Sequence, residues 1–126
     1  MKRIAIVEDN PDNRLLVRAI LEDRFEIDEF ESGAEALEGI RQTRPDVILL
    51  DISLPGMDGT EVLRQIRADD TLRHLRVIAL TAHAMAGDRE KYLSLSFNDY
   101  ISKPILDEQL LLDSIAQQLS CDEWRP

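Results

Sequence analysis

The segment Val47-Ile48-Leu49-Leu50-Asp51-Ile52-Ser53-Leu54-Pro55-Gly56 passes directly from four consecutive apolar residues to a carboxylate, and then to a proline-glycine loop. A run with no polar alternation suits a central parallel strand covered on both faces. Three further runs repeat the arrangement. Val7 leads into Glu8 and Asp9, Val77-Ile78-Ala79-Leu80 into Thr81, and Tyr100-Ile101-Ser102 into Lys103. In an open parallel α/β sheet, ligands bind outside the carboxyl ends of the strands. Three carboxylates, a hydroxyl and an ammonium are therefore expected at one edge. Converging carboxylates repel, by about 4 kcal/mol per pair at about 4 Å under an effective dielectric of about 20. They call for a cation, and a compact all-carboxylate site suits Mg²⁺. A hydroxyl and an ammonium beside that cation suit a phosphoryl group. The pattern predicts a Mg²⁺-dependent phosphoryl acceptor, with Asp51 as the acceptor.

Working outward, strand-like and helix-like segments alternate throughout. Strands are expected at 3–7, 25–30, 47–50, 77–80 and 99–102, with Phe25, Ile27 and Phe30 of the second facing inward. The first helix should follow Asn10, with Pro11 set for its first turn. Leu15, Leu16, Ala19 and Ile20 share its helical spacing. Ser32 can cap the second helix and Glu35 completes a capping box, with Ala34, Ala36, Leu37 and Ile40 as the buried stripe. Further helices are expected at 59–68, with Val62, Leu63 and Ile66 inward, and at 88–95 and 106–119. Strict alternation implies a parallel sheet with right-handed crossovers and helices on both faces. Five strands fit the doubly wound order 2-1-3-4-5 of the flavodoxin-like fold, in which strands 1 and 3 are neighbours at the switch point. Glu8, Asp9 and Asp51 would converge there.

The 126 residues read as one domain, 1–120, followed by a polar tail, 121–126, apart from Trp124. A net charge of -10 argues against direct binding of nucleic acid and against docking on anionic membranes. Its simplest consequence is solubility. Cys121 is the only cysteine, so no intrachain disulfide can form. Together with the lack of a long apolar run, this places the chain in the cytoplasm.

Four pieces of the sequence carry a resemblance. They are Val7-Glu8-Asp9-Asn10, Leu50-Asp51 through Asp58-Gly59, Leu80-Thr81-Ala82-His83-Ala84, and Asp99-Tyr100-Ile101-Ser102-Lys103-Pro104. Four in order, each after a strand, make the chain resemble the receiver domain of two-component response regulators over residues 3–119. The resemblance implies that Asp51 is the phospho-accepting aspartate. Asp9 ligates Mg²⁺ directly, Glu8 acts through a bound water, and the Ser53 carbonyl adds a backbone ligand. Thr81 and Lys103 hold phosphoryl oxygens, and Ser53 and His83 flank the group and tune its lifetime. Tyr100 is the switch aromatic, and the Lys103-Pro104 bond is cis. The implied donor is a histidine kinase or histidine phosphotransfer protein. The chain ends after its fifth helix, so output is expected through an unknown downstream protein, or the chain is a domain cut from a longer protein. That partner would dock on the face of helix 4, strand 5 and helix 5, where Leu106, Leu110 and Leu111 extend beyond a stripe of Leu112, Ile115, Ala116 and Leu119. Self-association would use the same surplus, and a broad core face on the fifth helix is its plainer explanation. One position departs from the pattern: receivers carry glycine four residues before the switch aromatic, and this chain has Ser96.

Each motif also has a plainer explanation. Glu8-Asp9-Asn10 can be a helix N-terminus, Asp51 an acidic loop residue, Thr81 a strand end, Lys103 an edge-blunting lysine and Tyr100 ordinary strand packing. Three other functions compete. An aspartyl-phosphate phosphatase commonly has a second Asp two residues after the nucleophile, where this chain has Ser53. A flavodoxin-like FMN carrier needs a first loop rich in Ser, Thr and Gly amides, and Glu8, Asp9 and Asp12 would repel its phosphate. A pseudo-receiver that binds partners without phosphorylation would not need the full set of site residues.

Overall fold

The computed structural model describes residues 2–82, 87–103 and 108–124. Their elements are β1 (Arg3–Val7), α1 (Pro11–Leu21), β2 (Glu26–Phe30), α2 (Gly33–Thr43), β3 (Val47–Asp51), α3 (Gly59–Ala68), β4 (Arg76–Thr81), α4 (Asp88–Ser94), β5 (Asp99–Ser102) and α5 (Glu108–Trp124). The strands form one parallel sheet in the order β2-β1-β3-β4-β5. This is the doubly wound, flavodoxin-like order expected from the sequence. No helix among the described residues is long and apolar enough to cross a membrane.

Side chains alternate across a strand with period two, so the apolar central strands feed two cores. Ala5, Val7, Ile48, Leu50, Val77 and Ala79 face α2, α3 and α4. Ile4, Ile6, Val47, Leu49, Ile78, Leu80 and Ile101 face α1 and α5. Every residue of β3 is buried, Asp51 included. Burying an aliphatic side chain this size is worth roughly 1.5–3 kcal/mol, so the middle of the sheet is a rigid floor for whatever its carboxyl ends carry.

Several expectations need correction. β2 begins one residue later than expected, and β3 and β4 extend to include Asp51 and Thr81. α4 stops at Ser94, and α5 continues past 119 to Trp124. The buried face of α1 is Val17 and Leu21, with Ile20 packed beside them, while Leu15 and Leu16 are 66% and 42% exposed and Ala19 is exposed as well. Two apolar sets on this helix have helical spacing, and the sheet selects the one in line with the half-buried Arg14. On α2, Gly33 rather than Ala34 faces inward, because a Cβ at residue 33 would lie 2.7 Å from Val62. On α5, Leu111 and Ile115 are fully buried with Ser114 and Gln118, while Ala116 is exposed and Leu110 is 55% exposed. Leu111 therefore belongs to the core and not to a surplus face. Leu106 and Pro104, with the isomer of its peptide bond, lie outside the described residues, as does His83.

Ser96 has φ 85°. It is the residue after the C-cap of α4. Its N–H donates to the Leu93 carbonyl, and the Phe97 N–H reaches back to the Tyr92 carbonyl, both at 3.1 Å. This pair of bonds is a Schellman termination, which demands a left-handed residue. The accompanying apolar contact is the edge-to-face packing of Tyr92 and Phe97, with centroids 5.8 Å apart. Arg67 closes the arrangement. Its Nη2 donates to the Ser96 carbonyl at 2.8 Å and to Asn98 Oδ1 at 2.9 Å, and its Nη1 to the carbonyls of Arg73 and Leu75, each at 2.7 Å. The bonds that Ser96 itself makes here, through its N–H to Leu93 and its carbonyl to Arg67, use only its backbone. Ser96→Gly should therefore raise the urea midpoint, with a net gain of about 0.5–1 kcal/mol after glycine's larger unfolded-state entropy is subtracted from the relieved strain. A lower midpoint would show that the serine hydroxyl contributes more than its backbone conformation costs.

Candidate functional site

The carboxyl ends of β1, β3, β4 and β5 carry every chemically active side chain singled out above that the structure describes. β1 and β3 pair through Val7 and Leu50, so the residues that follow, Glu8 and Asp51, emerge side by side. Glu8 is 1% exposed and Asp51 2%, while Asp9 faces solvent. One carboxylate oxygen from each of the three lies within 4.8 Å of the others. Lys103 reaches them from the far edge of the sheet. Its Nζ is 2.9 Å from Glu8 Oε1 and 3.2 Å from Asp51 Oδ1. The Lys103 N–H donates to the Thr81 carbonyl at 2.6 Å, which ties the ends of β4 and β5 together. Thr81 is 2% exposed at that end.

Local backbone geometry supports each acid. Asn10 caps α1, its Oδ1 accepting the N–H groups of Asp12 at 2.8 Å and Asn13 at 3.1 Å. The Asn10 N–H donates to Glu8 Oε2 at 3.3 Å, and Asn13 Nδ2 donates to Glu8 Oε1 at 3.4 Å. The Ser53 N–H donates to Asp51 Oδ1 at 3.0 Å, and the Ser53 side chain is exposed. Gly59 opens α3 directly beneath this turn. A Cβ there would come within 2.4 Å of the Asp51 carbonyl oxygen, so only glycine lets the helix approach the strand exit.

Two carboxylates and an ammonium withdrawn from water set the electrostatics. Burial raises the Glu8 carboxyl to about 7; Asp51 beside it adds to the rise and Lys103 opposes it. Burial alone would lower the Lys103 ammonium, but Glu8 and Asp51 outweigh it and hold the group above its ordinary value. Three acids against one ammonium leave negative charge to be neutralised. Their donors are hard oxygens, and one of the three is open to solvent. An octahedral Mg²⁺ with bonds of about 2.0–2.1 Å sets adjacent ligand oxygens about 3 Å apart, so a small contraction of the cluster would suffice. The residues fit that ion.

Tyr100 is half-buried and packs its ring against Tyr92, with centroids 5.9 Å apart and planes tilted by 42°. It stands outside the charged cluster, on the face lined by α4. Residues that the motifs did not single out also build the site. Arg14 donates through Nη1 to the carbonyls of Glu8 and Asp9. Asn13 touches Glu8, while Gly59, the last residue of the Leu50–Gly59 motif, carries the close approach. Arg14 and Asn13 read in the sequence as ordinary polar helix positions; only the shared first turn of α1 could have signalled them.

Residues 4–116 match the family model described as the response regulator receiver domain. The polar-differentiation response regulator DivK of Brucella anthropi is 47% identical over 105 residues, covering 82% of this chain and 85% of DivK. The sensor protein GacS of Pseudomonas syringae is 41% identical over 112 residues, which cover 86% of this chain but 12% of GacS. Among solved structures, the receiver domain of the sensor histidine kinase PA1611 from Pseudomonas aeruginosa superposes with a TM-score of 0.85 at 35% identity. That match covers 94% of this chain and 98% of PA1611's receiver domain, which holds a magnesium ion coordinated in its active-site cleft.

The raised Glu8 group fixes the sign of a pH effect. Its folded value of about 7 lies above the ordinary 4.5, so the protonated acid favours the folded state. That contribution is full below about pH 4.5 and is lost as pH rises through about 7. In EDTA, the melting temperature should fall between these limits, and Glu8→Gln should flatten the fall. An unchanged slope in Glu8→Gln would assign the effect to another group.

Proposed function

The chain belongs to the response regulator receiver domain family, and on that premise we propose that Asp51 takes a phosphoryl group from a phosphohistidine in a Mg²⁺-dependent transfer. The observation that carries this reading is the single ammonium of Lys103 held between Glu8 and Asp51. An edge-blunting lysine would point to solvent, and a purely structural ion pair would need one acid, not two. In the transfer, a carboxylate oxygen of Asp51 attacks phosphorus in line. The bond from phosphorus to the donor imidazole breaks, and its electron pair stays with the departing ring nitrogen. The Ser53 N–H and Lys103 both hold Asp51 Oδ1, which orients the carboxylate for attack. Lys103 and Thr81 then take phosphoryl oxygens. Glu8, Asp9, Asp51 and the Ser53 carbonyl are the groups that would hold Mg²⁺, which when bound neutralises charge on the phosphoryl oxygens. The acyl phosphate is later hydrolysed with help from the same site, and Ser53 and His83 tune its lifetime. Catalysis ends there. The position two residues after Asp51 is serine, so the general acid of a small-molecule phosphatase is missing from that place.

The donor in this reading is a histidine kinase or histidine phosphotransfer protein, and a donor charged from ATP puts the exchange in the cytoplasm. Output runs through the α4–β5–α5 face to a downstream protein or a second copy of the chain. Among the described residues, Leu93 on α4, Leu95 at its C-cap and Leu110 on α5 are exposed large apolar side chains of this face. Thr81 moves toward the phosphoryl group, and Tyr100 fills the space this opens. Both are contacts made only in the phosphorylated state, so they can shift a two-state equilibrium.

Acetyl phosphate with Mg²⁺ should add one phosphoryl group by mass spectrometry, and both EDTA and Asp51→Asn should abolish it. Full labelling of Asp51→Asn would remove Asp51 from the role. Beryllofluoride, a phosphoryl mimic, should perturb amide signals from residue 88 to residue 112 as well as at the site. Thr81→Ala should keep the local shifts and lose the distant ones. Distant shifts that persist in full in Thr81→Ala would refute the switch.

A further inference from the structure

Arg14 lies in the first turn of α1, where a positive charge faces the positive end of the helix dipole and disfavours the helix. Helix stability therefore does not account for it. Its side chain is 14% exposed. Nη1 donates to the carbonyl of Glu8 at 2.9 Å and to that of Asp9 at 3.2 Å. On its other side, Nη2 lies 3.3 Å from Glu31 Oε1 and Nε 3.7 Å from Glu29 Oε1. Glu29 is held in turn by Arg18, which also meets Glu22. A chain of charges thus runs from α1, through the end of β2, to the two successive peptide units that carry the acid pair. Two consecutive carbonyls turned toward one nitrogen fix both peptide planes. Those planes set the directions of the bonds to the two side chains, one buried and one exposed, whose oxygens nevertheless converge on Asp51.

We propose that Arg14, oriented by Glu29 and Glu31, is a positioning residue that sets the Mg²⁺ affinity of the Glu8–Asp9–Asp51 cluster by locking the Glu8 and Asp9 peptide planes. The proposal rests on the reading of this cluster as the Mg²⁺ site. It requires a guanidinium. One lysine ammonium cannot reach the two carbonyls and both glutamates together, because those contacts use three separate nitrogens.

The test is metal affinity and not phosphorylation. Mn²⁺ binding to the full chain is followed by electron paramagnetic resonance, with Mg²⁺ as competitor, in the parent, Arg14→Lys, Arg14→Met, the double variant Glu29→Gln/Glu31→Gln, and Asp9→Asn. Loss of an outer partner of a metal ligand weakens affinity by about 10–100-fold, so Arg14→Lys and Arg14→Met should each bind about tenfold more weakly. Arg14→Met also removes a positive charge, which alone would tighten a cation, so weakening in both reports geometry. The double glutamine variant should weaken binding severalfold with Arg14 intact. Circular dichroism checks the fold; if Arg14→Met does not fold, the lysine variant, which keeps the charge, decides. Folded Arg14 variants that bind Mn²⁺ within twofold of the parent overturn the proposal, whatever their melting temperatures. A parent chain that binds no Mn²⁺ displaceable by Mg²⁺, or an Asp9→Asn variant that binds like the parent, instead overturns the reading of the site.

Discussion

Two carboxylates buried side by side under one ammonium govern this molecule. Glu8 and Asp51 are almost wholly removed from water at the ends of neighbouring strands. Left alone, the pair would repel and protonate. Lys103 meets both from the position directly after β5. The Lys103 backbone is tied to Thr81, so the ammonium, the hydroxyl-bearing residue and the acids arrive together or not at all. The apolar interior supplies the rigidity that keeps the arrangement from relaxing. A looser floor would let the acids part and regain water, and with it would go the strong local field that a phosphoryl group could exploit.

The strand ends were legible because each is an unbroken apolar run that stops at a charged or hydroxyl residue, and parallel topology forces those ends to a common edge. Ser96 was legible for another reason: a small polar residue stands where the resemblance places glycine, and the Schellman geometry shows why glycine suits it. The orientation of α1 was not legible. Leu15, Leu16, Ala19 and Ile20 obey helical spacing as well as Val17, Ile20 and Leu21 do, and periodicity cannot choose between two valid frames. The sheet makes the choice, and the frame it takes also carries Arg14 toward the loop after β1. α5 hides its face in the same way, because it is apolar in several directions and buries Ser114 and Gln118. Ser114 is accommodated because its hydroxyl donates to Asp99 at 2.6 Å; a polar residue inside the stripe is invisible to a count of apolar positions.

Two arginines do similar work on opposite sides of the sheet's centre. Arg14 grips carbonyls beside the acid cluster and is flanked by glutamates. Arg67 grips carbonyls of the α3–β4 connection and of the α4 terminus, and burial lowers its guanidinium from the ordinary value. In both cases the planar fork satisfies carbonyls that a tight turn leaves over, which a lysine could do only in part. The chain's strongly acidic balance therefore conceals a small set of partly buried bases that hold its turns.

Gly59 divides the site mechanically. With no room for a Cβ beside the Asp51 carbonyl and its N–H donating to the Ile52 carbonyl at 2.9 Å, the start of α3 and the exit of β3 behave as one block, an anvil behind the acceptor. Bulk added in front of that anvil cannot be absorbed by recoil. In the proposed switch, displacement goes the other way, toward the shorter β5 strand and the aromatic packing of Tyr92 and Tyr100.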